Sequence, residues 1–84
     1  MINFFYHNNT LHTKLLILKT DIKTREKVRI IESFLNNHSR IIKWSIDIED
    51  IDKVLKIEVN YNLEEEDLIN QIKKIGFYCD TLAD

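Results

Sequence analysis

The chain has 84 residues, of which 44% are hydrophobic and 31% are charged, with one glycine and no proline. This composition is typical of one globular domain with a modest core, and it excludes a disordered or collagen-like chain. The net charge of −2 lacks the basic surplus of a nucleic-acid-binding protein, so we expect no nucleic-acid partner.

The first thirteen residues are the least regular part of the chain. Ile2 and the aromatic residues 4–6 favour a strand, whereas residues 7–10 are typical of a turn. We interpret residues 1–13 as an N-terminal extension, which forms either an extra strand hairpinned onto the next one or a frayed tail. The aromatic cluster favours packing against the domain.

Residues 14–20 are predicted to form the first strand of the domain, which extends over residues 14–84. Residues 15–18 are all apolar, so both faces of this strand are apolar and we expect it in the centre of a sheet. Either Leu15 and Ile17 or Leu16 and Leu18 must then face away from the helices. The N-terminal aromatics, or a second copy of the chain in a homodimer, would cover this open sheet face.

A first helix is predicted from residue 24 to residue 36. Val28, Ile31 and Leu35 recur on one helical face, and Thr24 is a suitable N-cap. Asn36-Asn37 is expected to supply a left-handed stop.

Two alternating strands follow, over residues 39–48 and 55–61, joined by a charged hairpin loop. We expect them to pair as antiparallel neighbours, each with one buried face. The buried face of the first is predicted to carry Ile42, Trp44, Ile46 and Ile48.

The second helix is predicted over residues 62–75. Asn62 would cap it, with Glu65 in the capping-box position, and Gly76 would end it. Residues 77–82 would form the last strand. The order of elements predicts an α+β fold, a ferredoxin-like βαββαβ sandwich. Its four-stranded antiparallel sheet would have strands one and three in the centre and both helices on one face.

Three segments carry a family resemblance. Residues 16–19 (LILK) form the first strand, residues 28–35 (VRIIESFL) fit V-x-x-I-E-x-x-L, and residues 72–77 (IKKIGF) fit I-x-x-x-G-[YF]. With these motifs, the chain from about residue 14 to 82 resembles the heavy-metal-associated domain. This is the fold of small copper chaperones and of the N-terminal modules of metal-pumping ATPases.

The metal motif of that family is missing. The family binds a soft metal ion with G-M-x-C-x-x-C ahead of the first helix, and residues 21–27 (DIKTREK) align there. Thr24 and Lys27 occupy the positions of the two thiolates. Threonine is a poor ligand for Cu(I) or Zn(II), and a protonated lysine repels a cation. We therefore expect no metal cofactor.

An improvised copper or zinc site is the alternative that we keep open. Cys79 is the only cysteine, and in the last strand it favours burial as a small apolar residue. His7, His12 and His38 lack the spacing of metal ligands. A site made of Cys79, His7 and His12 would require the N-terminal segment to fold over the sheet.

Four basic residues crowd the start of the first helix, namely Lys23, Arg25, Lys27 and Arg29. They form either a solvated face or a docking patch for an acidic partner or an anion. The resemblance implies the docking patch, because this end of the family's fold meets partner domains. No catalytic arrangement can be assembled from the sequence. We predict a small non-catalytic binding module with an unidentified protein partner, and the alternative is a degenerate metal-handling protein.

The apolar runs and the cysteine content bear on the location of the protein. The longest apolar runs are far shorter than a membrane span, so we expect no membrane partner. Residues 1–13 lack the cationic start and the cleavage site of a secretory signal. Because a single cysteine cannot form an internal disulfide, we expect a reducing, cytoplasmic location.

Overall fold

A computed structural model describes residues 12–82 of the chain, which form a four-stranded sheet with two helices. The strand order is β2-β3-β1-β4, and all neighbouring strands are antiparallel. The predicted α+β class, the element order and the central places of strands one and three are confirmed. The elements are β1 (Thr13–Thr20), α1 (Arg25–Asn36), β2 (Ile41–Asp47), β3 (Val54–Asn60), α2 (Glu65–Ile75) and β4 (Cys79–Thr81).

The alternation of β1 decides which of its apolar pairs faces the core. Leu16 and Leu18 are buried, whereas Leu15 is 59% exposed and Ile17 is 37% exposed. The buried residues of both helices join those of β1 and β3 in one cluster. The open sheet face is therefore the one that carries Leu15 and Ile17. The cluster consists of Leu16, Leu18, Ile22, Ile31, Leu35, Leu55, Ile57, Val59, Leu63, Leu68, Ile69, Ile72, Phe77 and Cys79.

The predicted buried face of β2 is wrong at Ile42. Ile41 pairs with Val59, but Lys43 pairs with Glu58, so β2 contains one residue more than β3 at this point. This β-bulge turns Ile41 toward the core and leaves Ile42 55% exposed. A bulge depends on the partner strand, which alternation along one strand does not report.

The N-cap of α1 is confirmed and its predicted left-handed stop is wrong. The Thr24 hydroxyl accepts a hydrogen bond from the Lys27 N–H at 3.2 Å. At the other end, Asn37 has φ −97°, in the right-handed region. Its side-chain amide donates to the Ser33 carbonyl at 2.7 Å and so satisfies an unpaired carbonyl of the last turn.

The predicted capping box of α2 is also wrong. Glu64 is the N-cap residue, and its side chain makes no capping hydrogen bond. The Asn62 N–H donates to the Asn60 side chain at 3.2 Å, within a turn that buries Leu63. Burial of Leu63 thus takes precedence over an earlier helix start. The predicted end is confirmed, since Gly76 has φ +117°, which favours glycine.

The predictions about the N-terminal extension lie outside the residues that the structure describes, whereas the one about a membrane span concerns residues inside that range. Residues 1–11 lie outside the described part of the chain, so the extra strand, the frayed tail and the packing of the aromatic residues stay predictions. Within residues 12–82, no helix has both the length and the apolar character needed to cross a membrane.

The two faces of β1 give a paired test of the fold. Leu18→Ala should lower the free energy of unfolding by about 2–5 kcal/mol, because it leaves a cavity in the core. Leu15→Ala, the control on the open face, should change it by no more than about 0.5 kcal/mol. Urea unfolding followed by circular dichroism measures both. Equal losses would contradict the assignment of the two faces.

Candidate functional site

The loop between β1 and α1 is held in place by three hydrogen bonds. The Thr20 hydroxyl donates to the Lys53 carbonyl at 2.7 Å and accepts from the Ile22 N–H at 3.1 Å. The Asp21 carboxylate accepts from the Tyr78 N–H at 3.0 Å, which ties the loop to the chain before β4. Ile22 is fully buried. The start of α1 is therefore fixed relative to the sheet.

The two residues at the predicted thiolate positions serve helix α1. Thr24 is exposed, and its hydroxyl oxygen is engaged by the Lys27 N–H. Lys27 is half-buried, one turn into the helix. A hydroxyl that caps a helix satisfies one of the four free N–H groups of the first turn. Thr24 thus has a structural role as the cap of α1.

The basic surface is defined here as the side chains of Lys23, Arg25, Lys27 and Arg29. They lie just before and within the first turns of α1, where all but the half-buried Lys27 are exposed. Arg25 and Arg29 line the same groove, whereas Lys27, two residues from each along the helix, does not share their side. Within residues 12–82 the one ion pair joins Lys43 to Glu58, so no member of the basic surface pairs with a carboxylate there. Lys23, Arg25 and Arg29 are thus both exposed and without an ion pair in this range.

A groove runs between α1 and β2 beside the basic surface. Its volume is about 510 Å³, and Arg25 and Arg29 line its helical wall. Asp47 and Glu49 line the strand side without reaching ion-pair distance of either arginine. The sequence analysis missed this groove, because its walls are about twenty residues apart in the chain and only the fold brings them together.

Cys79 is a core residue. Its side chain is fully buried, opposite Thr20 in the pairing of β1 with β4. Burial raises the pKa of the Cys79 thiol from 9.0 to about 12, and the nearby Lys73 only partly offsets this effect. Because the thiolate is the nucleophile and the metal ligand, a protonated buried thiol is unreactive at neutral pH.

The structure does not bring Cys79 and His12 together. Cys79 lies at the Thr20 end of β1, and His12 precedes the other end, which is a distance of about 25 Å along an extended strand. His12 is exposed, and its carbonyl accepts from the Tyr61 N–H at 2.8 Å. His7 lies outside the described residues.

His38 has a structural role that its sequence position does not reveal. Its Nδ1 accepts from the Arg40 N–H at 3.1 Å, and its Nε2 lies 3.0 Å from the Gln71 side-chain oxygen. The ring also packs edge-on against Phe34. His38 thus links the turn before β2 to α2. Within the described range, no group of three or more His, Cys, Asp or Glu residues is placed to hold a metal ion.

The open sheet face is only partly apolar. Leu15 lies opposite Glu58 and Ile17 lies opposite Lys56, so charged side chains interrupt the apolar surface. The Thr13 hydroxyl also donates to Glu58 at 3.2 Å. The expectation that an apolar pair faces away from the helices is confirmed, and the homodimer through this face stays a prediction.

Comparison of the chain with protein-family models, with curated proteins and with solved structures gives no match. The resemblance of residues 28–35 and 72–77 to the heavy-metal-associated domain therefore stays a prediction. The geometry of the described residues is the basis for a functional proposal.

The Cys79 pKa predicts a loss of stability at alkaline pH. Because this pKa is higher in the folded chain than in the unfolded chain, the neutral thiol's contribution is complete below pH 9.0 and is lost as the pH rises toward about 12. Between about pH 8 and about pH 10.5, the free energy of unfolding of the natural chain should fall more than that of Cys79→Ala.

Urea unfolding at the two pH values measures this difference. Cys79→Ala is the control because it keeps every other titrating group, and its constant cavity cost cancels in the comparison. Parallel pH profiles for the two proteins would show that the thiol keeps its ordinary pKa in the fold.

Proposed function

We propose that this protein is a small, non-catalytic binding module that docks an acidic surface of a partner protein through its basic surface. The observation that carries this proposal is the position of Lys23, Arg25, Lys27 and Arg29. They lie within seven consecutive residues at the start of α1 and form no ion pair within residues 12–82. Lysine and arginine side chains that have no ion-pair partner and project from a fixed helix favour association with a surface of opposite charge.

The scaffold proposed for this module is the ferredoxin-like βαββαβ sandwich of the heavy-metal-associated domain. The strand order β2-β3-β1-β4 supports it, because it is the order that two βαβ units with right-handed crossovers produce. The single core shared by both helices supports their placement on one face of the sheet. In the family this scaffold presents the loop before the first helix to partner domains.

We propose that the module works without a metal cofactor. The Thr24 hydroxyl is occupied as a helix cap, and the ammonium group of Lys27 repels cations from the position of the second thiolate. The separation of Cys79 from His12 argues against the alternative copper or zinc site. The buried thiol of Cys79 fits a reducing, cytoplasmic location, which is also part of the proposal.

Docking by the basic surface should be sensitive to salt. Charges at an exposed interface are screened over about 8 Å at physiological ionic strength, so added salt weakens their attraction. Substitutions there should act mainly on the rate of association. Arg25 and Arg29 favour carboxylate partners in particular, because a guanidinium group binds a carboxylate through two parallel hydrogen bonds.

A charge reversal tests the basic surface directly. The variant Lys23→Glu/Arg25→Glu/Arg29→Glu should capture about ten-fold less, or still less, of the partner proteins that the natural chain captures from the source cell. The reason is that the attraction between the surfaces becomes repulsion. Quantitative mass spectrometry of the captured proteins measures the change. The matched control is Lys73→Glu/Lys74→Glu, which reverses exposed charges at the end of α2. Equal depletion by both variants, or by neither, would contradict docking through the basic surface.

A metal titration tests the metal-free part of the proposal. Addition of Cu(I) or Zn(II) to the natural chain should give no stoichiometric complex with a dissociation constant of about 1 μM or tighter, because no thiolate pair is available. Isothermal titration calorimetry measures it. A tight site that Cys79→Ala abolishes would favour the degenerate metal-handling protein instead.

A further inference from the structure

The outer edge of β2 has the features of a surface for self-association. Within residues 12–82, β2 pairs with β3 on one side and with no strand on the other. An unpaired strand edge presents backbone N–H and C=O groups that another strand can bind. We propose that two copies of this chain pair antiparallel through this edge, about a two-fold axis at Ser45. This proposal concerns a surface other than the one in the proposed function and stands independently of it.

The register of the sheet determines which backbone groups of β2 point outward. The Asn60 N–H donates to the Arg40 carbonyl at 2.8 Å. Every second residue of β3, counted back from Asn60, therefore directs its backbone N–H and C=O groups toward β2. The β2 residues opposite them are Lys43, Ser45 and Asp47. In an antiparallel ladder the intervening residues direct their N–H and C=O groups to the opposite side. Trp44 and Ile46 therefore present theirs at the free edge.

The length of the regular edge selects the position of the two-fold axis. The bulge between Ile41 and Lys43 interrupts β2 at one end, and the strand ends at Asp47 at the other. Ser45 is the midpoint of this straight segment. An antiparallel pairing about Ser45 places Trp44 of each copy opposite Ile46 of the other, so that their outward backbone groups exchange hydrogen bonds.

The charges of β2 are complementary in the same register. Lys43 and Asp47 lie two residues on either side of Ser45 and both project on the open face of the sheet. The two-fold axis places Lys43 of each copy opposite Asp47 of the other. The Lys43 side chain is 78% exposed, and its ion pair with Glu58 is long at 3.6 Å, so Lys43 is accessible for this contact. Opposite charges at facing positions stabilise a strand pair.

The helical face of the edge supplies apolar contact. Trp44 and Ile46 are half-buried, and Ile46 lines the groove between α1 and β2. The Trp44 ring is held by a hydrogen bond from its Nε1–H to the Asn36 side-chain oxygen at 2.9 Å. Pairing about Ser45 would cover the remaining exposed parts of both side chains with those of the second copy. Because the bulge and the strand end limit the edge, this isologous pairing closes at two copies.

Charge substitutions test the register in the full chain. The natural chain should show a concentration-dependent monomer–dimer equilibrium in sedimentation velocity. Asp47→Lys and Lys43→Asp should each raise the dimer dissociation constant by about ten-fold or more, because like charges then face each other twice. An equimolar mixture of the two variants should restore dimers as heterodimers. The matched control Asp80→Lys reverses an exposed charge on β4, at the opposite edge, and should leave the equilibrium unchanged.

Amide hydrogen exchange gives a second reading that does not depend on a variant. The N–H groups of Trp44 and Ile46 should exchange more slowly as the concentration of the natural chain rises. For the charge variants, circular dichroism establishes that each one is folded. A natural chain that stays monomeric, dimers unaffected by both single variants, or a mixture that fails to restore them would overturn the proposal.

Discussion

The buried hydroxyl of Thr20 is the contact on which the geometry of the molecule depends. It donates to the Lys53 carbonyl at 2.7 Å and accepts from the Ile22 N–H at 3.1 Å, while the Thr20 N–H donates to the Asp52 carbonyl at 3.0 Å. These bonds join the end of β1 to the hairpin between β2 and β3 and to the loop before α1. A buried polar group without partners is costly, so this arrangement tolerates little displacement.

The position of that loop determines what the surface of the protein presents. Because α1 starts at a fixed point, Arg25 and Arg29 have a fixed place along the groove between α1 and β2. At the start of α1 the Thr24 hydroxyl accepts from the Lys27 N–H and so caps the helix.

Local sequence signals were reliable where a local physical cause decides the structure. Thr24 caps α1 and Gly76 ends α2, because each role depends on the backbone within one helical turn. The signals failed where a distant segment decides. Ile42 is turned outward by a bulge that depends on the register with β3, and the predicted cap at Asn62 yields to the turn that buries Leu63.

The sequence by itself determined the order of the elements and the central strand, because hydrophobic periodicity directly reflects which faces are buried. It also determined that the chain has a single cysteine, which is a matter of residue identity. Only the tertiary structure decided that Leu15 and Ile17 lie on the open face, that Cys79 and His12 lie at opposite ends of β1, and which groups β2 presents at its edge. These features depend on strand register and pairing, and a register is fixed by contacts between segments far apart in the chain.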